Sequence, residues 1–155
     1  MTGRCLTEHS TSSPEETYAL GGRLALRLGT DSVVALKGGL GAGKTTLVKG
    51  IARSLGVTET ITSPTYTIVS EYQACLNEQA IPLYHIDAYR LSGDDDFENT
   101  GAGELIGSIA AKIARGIAII EWSERIPHFI PPDALFIEIE ITGTESRLFR
   151  INGEL

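Results

Sequence analysis

Residues 38–45 constrain the fold of this chain more than any other feature, because they read Gly-Gly-Leu-Gly-Ala-Gly-Lys-Thr, a complete G-x-x-x-x-G-K-T phosphate loop. The glycines allow the backbone to curl so that successive N–H groups point at phosphate oxygens. Residues 32–36 are typical of a buried strand, and residues 45–55 of a helix whose N-terminus favours an anion. This order of strand, loop and helix predicts a nucleotide-binding unit rather than a glycine-rich turn without a ligand.

Two side chains of the phosphate loop supply the charge and the hydroxyl that a bound nucleotide needs. We expect the Lys44 ammonium to reach the β- and γ-phosphates and the Thr45 hydroxyl to face Mg²⁺. Lys44 is therefore a candidate catalytic residue as well as a binding residue, and Thr45 is a candidate metal ligand. The residues predicted to bind nucleotide through this loop are Leu40, Gly41, Ala42, Gly43, Lys44, Thr45 and Thr46.

Composition limits the classes of protein to which the chain can belong. Its 155 residues suffice for one domain with a core, and its net charge of −7 argues against autonomous binding to nucleic acid. No apolar run approaches the roughly 18 residues that cross a membrane, and the N-terminus lacks the apolar segment of a signal peptide. These features predict a cytoplasmic protein without a membrane partner, in which Cys5 and Cys75 are plain thiols.

The pattern along the chain predicts an α/β fold: a P-loop NTPase-like single domain over residues 1–155, with a mixed, mostly parallel sheet flanked by helices and a C-terminal antiparallel hairpin. Ser13-Pro14-Glu15-Glu16 is a capping box that opens a helix, predicted to run to Leu28 with Gly29 as its cap. The other predicted strands cover residues 67–72, 81–87, 116–121, 134–141 and 147–151, and the other predicted helices begin at residue 94 and cover residues 106–115.

Two carboxylates follow predicted strands and so belong at the edge of the sheet where ligands bind in open α/β folds. Glu121 ends the most apolar strand, which suits a Walker-B-type acid for magnesium, although a solvated carboxylate is the alternative. Asp87 ends another strand and can hold the metal through water or orient the attacking water, or else bond its own turn. Glu121 and Asp87 are therefore candidate catalytic residues.

Three further features have both a functional and a structural interpretation. The hydroxyl-rich loop that contains Thr65 and Thr67 can order around a γ-phosphate, or it can be an ordinary turn. Trp122, which follows Glu121, is either a wall of the site or a core aromatic. His85 shares a strand face with Asp87, and we interpret it as structural.

Four motifs in this order resemble the TsaE (YjeE) family: the phosphate loop with its extra threonine, Ser-Pro-Thr-Tyr-Thr at residues 63–67, His-x-Asp-x-Tyr-Arg-Leu at residues 85–91 and Glu-Trp-Ser-Glu at residues 121–124. That family is the ATPase component of the bacterial machinery that makes threonylcarbamoyladenosine in tRNA. The resemblance implies binding of ATP or ADP with Mg²⁺, partners of the TsaB and TsaD type, and contact with tRNA only through the complex.

The same resemblance implies roles for particular residues. It makes Lys44 and Thr45 ligands of nucleotide and Mg²⁺, Glu121 the second magnesium residue and Asp87 important for hydrolysis. It also places Glu15 and Arg147 near the nucleotide. Thr65 and Trp122 are further candidate nucleotide-binding residues on their own pattern, apart from the resemblance. The chain departs from the family at Gly39, where an Asp is usual.

The prediction is therefore an Mg²⁺-dependent ATP hydrolase, weak alone and stimulated by its partners. An arginine that neutralises the transferring phosphoryl group is not evident, and Arg90 is either a candidate for that role or part of a surface salt bridge. The alternatives are a small-molecule kinase and a nucleotide-binding module that does not hydrolyse. A GTPase is disfavoured, because the chain has no Asn-Lys-x-Asp guanine motif.

Overall fold

A computed structural model describes residues 5–62, 68–153 and 155 as one mixed sheet with helices on both faces. The strands are β1 (Leu6–Thr11), β2 (Val33–Gly38), β3 (Val69–Leu76), β4 (Gln79–Asp87), β5 (Ile117–Glu121), β6 (Leu135–Ile141) and β7 (Arg147–Asn152). The helices are α1 (Pro14–Ala25), α2 (Lys44–Ser54), α3 (Asp94–Glu98) and α4 (Ala102–Ala110), with short 3₁₀ turns at Ser123–Arg125 and Pro127–Phe129. None of the helices in these ranges is long and apolar enough to cross a membrane.

The sheet has the order β1-β7-β6-β2-β5-β4-β3, which confirms the predicted α/β class and the C-terminal hairpin. The central strands β6, β2, β5 and β4 are parallel, and the outer pairings are antiparallel. Parallel pairing is thus confined to the middle of the sheet. That arrangement places the carboxyl ends of β2, β4 and β5 side by side, next to the start of α2.

Helix α1 starts as predicted, although Glu16 accepts a hydrogen bond from the Ser12 N–H at 2.9 Å rather than from that of Ser13, and the end of the helix differs from the prediction. The Ser13 hydroxyl accepts a hydrogen bond from the Glu16 N–H at 3.1 Å, and Pro14 occupies the first turn. The helix ends at Ala25 rather than Leu28, because the three following N–H groups bond three residues back, as in a tighter 3₁₀ turn. Leu28 nevertheless remains buried against the same core.

The boundaries of α4 differ from the predicted range 106–115. The helix ends at Ala110, where the Ile113 N–H bonds to the Ser108 carbonyl and the Lys112 N–H to that of Ile109. These two bonds form a Schellman motif, with Lys112 in the left-handed conformation that glycine usually adopts. Because the sequence has a lysine there, the pattern gave no stop signal.

Two strands also differ from the prediction. Strand β1 was not predicted, since its one large apolar residue, Leu6, is 64% exposed and β1 lies at the edge of the sheet. Strand β3 extends to Leu76, beyond the predicted end at Tyr72, because it pairs with β4 along its whole length. A two-residue turn at Asn77 and Glu78, both with positive φ, closes that hairpin.

Helices α1 and α2 cover one face of the sheet and touch each other through glycines. A Cβ built on Gly50 of α2 would lie 2.1 Å from the Tyr18 carbonyl oxygen, and one built on Gly21 of α1 would lie 2.5 Å from the Leu47 carbonyl oxygen. This close approach fixes α1 beside the first turns of α2. Helix α1 thereby holds α2, the helix that follows the phosphate loop, in place.

Gly50→Ala is expected to destabilise the protein by about 1–3 kcal/mol, because the new methyl group meets backbone that cannot move aside. This loss exceeds the gain of about 1 kcal/mol that alanine brings to a helix. Thermal unfolding checks it, at about 2–4 °C per kcal/mol for a chain of this size. Gly22→Ala is the matched control: its Cβ meets nothing within 4 Å, so we expect an unchanged or higher Tm. Equal behaviour of the two variants would contradict the glycine contact.

Candidate nucleotide-binding site

The phosphate loop joins β2 to α2 and opens onto a cleft of about 360 Å³ at the carboxyl ends of β4 and β5. The cleft is lined by Leu40, Gly41, Ala42, Gly43, Lys44, Thr45, Thr46, Asp87, Tyr89, Glu121 and Trp122. Ten of these eleven residues are sequence-predicted site residues, and the structure brings them together. Tyr89 is the one lining residue that was not predicted, and the feature of the sequence that could have indicated it is its position two residues after Asp87.

The backbone of the loop has the conformation that a phosphate site requires. Gly41 and Gly43 have φ values of 75° and 99°, a region that residues with a Cβ rarely adopt. Gly43 is the N-cap of α2, and no described side chain caps that end of the helix. The N–H groups of the first turn are therefore presented to the cleft, where an anion can accept their hydrogen bonds.

Lys44 is 95% buried and is held by the loop itself. Its Nζ donates to the carbonyl oxygens of Gly38 at 2.6 Å and Gly39 at 2.8 Å, and it lies 4.1 Å from the centre of the Trp122 ring. Burial lowers the pKa of Lys44, while the carboxylates around it, Glu121 first, act in the opposite direction. The ammonium is thus at the base of the cleft, within reach of a group bound there.

Thr45 and Glu121 place a hydroxyl oxygen and a carboxylate, both suitable ligands for a metal ion, side by side. The Thr45 hydroxyl lies 3.3 Å from Oε1 and 3.2 Å from Oε2 of Glu121, whose side chain is 97% buried. The described residues contain no cluster of three or more His, Cys, Asp or Glu residues that could cage a metal. One carboxylate, one hydroxyl and the oxygens of a bound phosphate are the set that Mg²⁺ favours, so these residues fit that ion.

Glu121 has a second partner that the sequence did not reveal. Nε2 of His85 lies 2.5 Å from its Oε2, and His85 is wholly buried. Nδ1 of the same ring has no hydrogen-bond partner among the described residues. His85, interpreted from the sequence as structural, therefore contacts the candidate metal residue directly.

The position of Asp87 bears on both interpretations that the sequence left open. Its Oδ1 accepts a hydrogen bond from the Tyr89 N–H at 2.9 Å, so it does bond its own turn. It also lines the cleft. Burial, followed by the nearby charge of Glu121, raises the pKa of Asp87 above its ordinary value. A carboxylate with a raised pKa is a better proton acceptor, which is the property of a general base.

Trp122 forms a wall of the cleft and also packs against the core cluster on the other side of the sheet. It has a φ of 59°, uncommon for a bulky residue and typical of constrained functional positions. Its ring centre lies 4.9 Å from that of Tyr89, and the guanidinium of Arg125 lies 5.3 Å from the Trp122 ring. Neither Tyr89 nor Arg125 was predicted, because contacts of a ring or a guanidinium between two loops leave no periodic pattern.

Two predicted binding residues, Arg147 and Glu15, are not among the residues that line the cleft. Arg147 donates to the carbonyl oxygens of Gly41 at 2.9 Å and Ala42 at 3.1 Å, and the rest of its guanidinium bonds to the β6–β7 turn. It therefore holds the phosphate loop to the C-terminal hairpin. Glu15 is exposed in the first turn of α1.

The remaining sequence predictions concern a loop, an arginine and a glycine. Thr65 and Thr67 lie outside the described residues. Arg90 is exposed and forms no ion pair within the part of the chain that the structure describes. At Gly39 a built Cβ meets nothing within 4 Å, so the position has room for the aspartate usual in the family.

Comparison with known proteins gives one consistent result. The family model described as "Threonylcarbamoyl adenosine biosynthesis protein TsaE" matches residues 11–149. The chain is 38% identical over 137 residues to the tRNA threonylcarbamoyladenosine biosynthesis protein TsaE of Bacillus subtilis, covering 88% of this chain and 79% of that protein. It is 43% identical over 128 residues to the protein of the same name from a Nostoc species, covering 83% and 75%. The crystal structure of Bacillus subtilis YdiB superposes with a TM-score of 0.73 at 30% identity, covering 99% of this chain and 88% of that one.

Proposed function

This chain belongs to the TsaE family of tRNA threonylcarbamoyladenosine biosynthesis, and from that premise we propose that it is the Mg²⁺-dependent ATPase of that pathway. One observation carries the proposal: Lys44, Thr45, Asp87 and Glu121 converge on a single cleft over the N-terminus of α2. Together they offer a cation for phosphate, a pair of oxygens for a metal and a carboxylate for water.

Nucleotide binding follows from the groups that face the cleft. The N–H groups of the loop and of the first turn of α2 bind the phosphates, and Lys44 exchanges the Gly38 and Gly39 carbonyls for phosphate oxygens. Thr45 and Glu121 would hold Mg²⁺, and the ion would supply positive charge to offset that of the phosphates. ATP and ADP are therefore the proposed ligands.

Hydrolysis depends on a water held at the γ-phosphate. Asp87 is the proposed base, since its carboxylate lines the cleft and burial raises its pKa. Its Oδ1 is fixed by the Tyr89 N–H, so the side chain is oriented in advance. The negatively charged carboxylate of Asp87 orients the water and accepts its proton as the water attacks the γ-phosphate.

The isolated chain is proposed to be a weak ATPase, because none of the described residues that line the cleft is an arginine. Arg125 lies near the rings of Tyr89 and Trp122, but its Nη1 donates to the Leu91 carbonyl at 3.1 Å. An arginine supplied in cis or by a partner raises phosphoryl transfer by about 10³–10⁵. We propose that TsaB- and TsaD-type partners stimulate the reaction, that tRNA is reached only through this complex, and that it works in the cytoplasm.

Hydrolysis with and without partners tests this function. With γ-labelled ATP and matched Mg²⁺, we expect slow release of inorganic phosphate from the chain alone and a faster release with TsaB- and TsaD-type proteins. Label recovered on a small-molecule acceptor would instead identify a kinase. Tight nucleotide binding with no phosphate released under either condition would identify a binding module.

A further inference from the structure

His85 lies directly between the core of the sheet and the cleft. Strands β4 and β5 are parallel, with His85 opposite Ile119 and Asp87 opposite Glu121. Because side chains alternate along a strand, His85 and Asp87 share one face of the sheet with Ile119 and Glu121. Ile119 belongs to the core cluster that α1 and α2 cover, so His85 is on the α2 side.

The side chain of His85 makes its polar contact with Glu121, toward the cleft. The residue is wholly buried, and the one side-chain hydrogen bond that it makes to the described residues joins Nε2 to Oε2 of Glu121 at 2.5 Å. Its Nδ1 has no partner among the described residues. The contact with Glu121 is what the histidine adds.

We infer that His85 is a positioning residue for Glu121, fixing the carboxylate so that it faces the Thr45 hydroxyl and a cation held beside it. This inference rests on the proposed Mg²⁺–nucleotide site. A carboxylate held by one donor loses rotational freedom, and partners of metal ligands are typically worth about 10–100-fold in metal affinity. The Nε2 end of the imidazole performs this role, whereas the Nδ1 end does not contribute.

A pair of substitutions separates this role from simple core packing. Glutamine carries its amide N–H at about the reach of Nε2, whereas asparagine carries it at about the reach of Nδ1. We expect His85→Asn to raise the Mg²⁺ concentration for half-maximal ATP binding by about 10-fold or more, and His85→Gln to stay within about 3-fold of wild type. Titration calorimetry measures both, and ATP affinity in EDTA should not change in either variant.

Two controls define the site of action. His9→Asn is the matched control, because His9 is another strand histidine with a buried, unpartnered ring nitrogen and lies in β1, which pairs only with β7 at the edge of the sheet. It should leave the Mg²⁺ dependence unchanged. In a Glu121→Ala background, His85→Asn should add no further loss, since the group that it positions is gone.

The outcomes distinguish this inference from the proposed function. Equal Mg²⁺ dependence of His85→Asn, His85→Gln and wild type would overturn the positioning role, as would an additional loss in the Glu121→Ala background. If His85→Asn does not fold, the NMR signal of the His85 ring N–H proton in the wild type provides the test, assigned by its absence from the spectrum of His85→Gln. The inference requires that this signal shift when Mg²⁺–ADP is added. A signal that does not shift overturns the inference. A wild type that binds ATP equally with Mg²⁺ and with EDTA would contradict the proposed metal site itself.

Discussion

Lys44→Ala is expected to weaken the binding of both ATP and ADP by about 100-fold or more. Hydrogen bonds to charged groups contribute about 1.5–3 kcal/mol each, and the ammonium is placed to make two with phosphate oxygens. A loss of about 3 kcal/mol corresponds to a factor of more than 100 in Kd. Lys44 is the one cationic side chain that lines the described cleft, so no neighbouring residue replaces its charge. Titration calorimetry with each nucleotide measures the change.

The control for Lys44→Ala is Lys49→Ala, an exposed lysine on the same helix, which should bind nucleotide as the wild type does. The Gly38 and Gly39 carbonyls lose their donor when Lys44 is removed, so we expect a small fall in Tm but a folded protein. A folded Lys44→Ala protein with wild-type affinity for ATP would rule out phosphate binding by this residue.

Asp87→Asn is expected to slow ATP hydrolysis by about 10²–10⁴-fold, the usual contribution of a general base. Nucleotide affinity should stay within a few-fold of wild type, because asparagine retains the oxygen that accepts the Tyr89 N–H. Binding and single-turnover rates, measured on the same preparation with partners present, separate the two effects. Asp133→Asn, an exposed carboxylate that does not line the cleft, is the control.

A normal rate for Asp87→Asn in the full complex would leave Asp87 with its turn-forming role alone. A parallel loss of binding and rate would instead show that the carboxylate holds the nucleotide or its metal. The raised pKa of Asp87 favours the general-base role over both of these outcomes, because a carboxylate that accepts protons readily is suited to take one from water.

The sequence predicted those parts of the site that follow from local patterns. The phosphate loop carries its own spacing, so Lys44 and Thr45 were assigned without knowledge of the fold. Asp87 and Glu121 each end a strand, and adjacent parallel strands bring their carboxyl ends to one edge, where the structure pairs these two residues.

Other parts of the site depend on contacts that no local pattern records. The bond from His85 to Glu121 requires the particular register of β4 on β5, which the sequence of neither strand specifies. The contact between the tilted rings of Tyr89 and Trp122 joins two loops in the same way. Arg147 was placed near the nucleotide by resemblance, but its three guanidinium nitrogens make five hydrogen bonds to backbone carbonyls, because the β6–β7 turn lies beside the phosphate loop.

The fluorescence of Trp122 on addition of Mg²⁺–ATP tests most directly whether this cleft is the nucleotide site. Trp122 is the only tryptophan, and the Lys44 ammonium lies 4.1 Å from the centre of its ring. Because a bound phosphate draws that ammonium away, the emission of the wild type should change saturably with Mg²⁺–ATP, and that of Lys44→Ala should not change at the same concentrations. An unchanged wild-type signal at a concentration where calorimetry shows full binding, or an equal change in Lys44→Ala, would contradict the account.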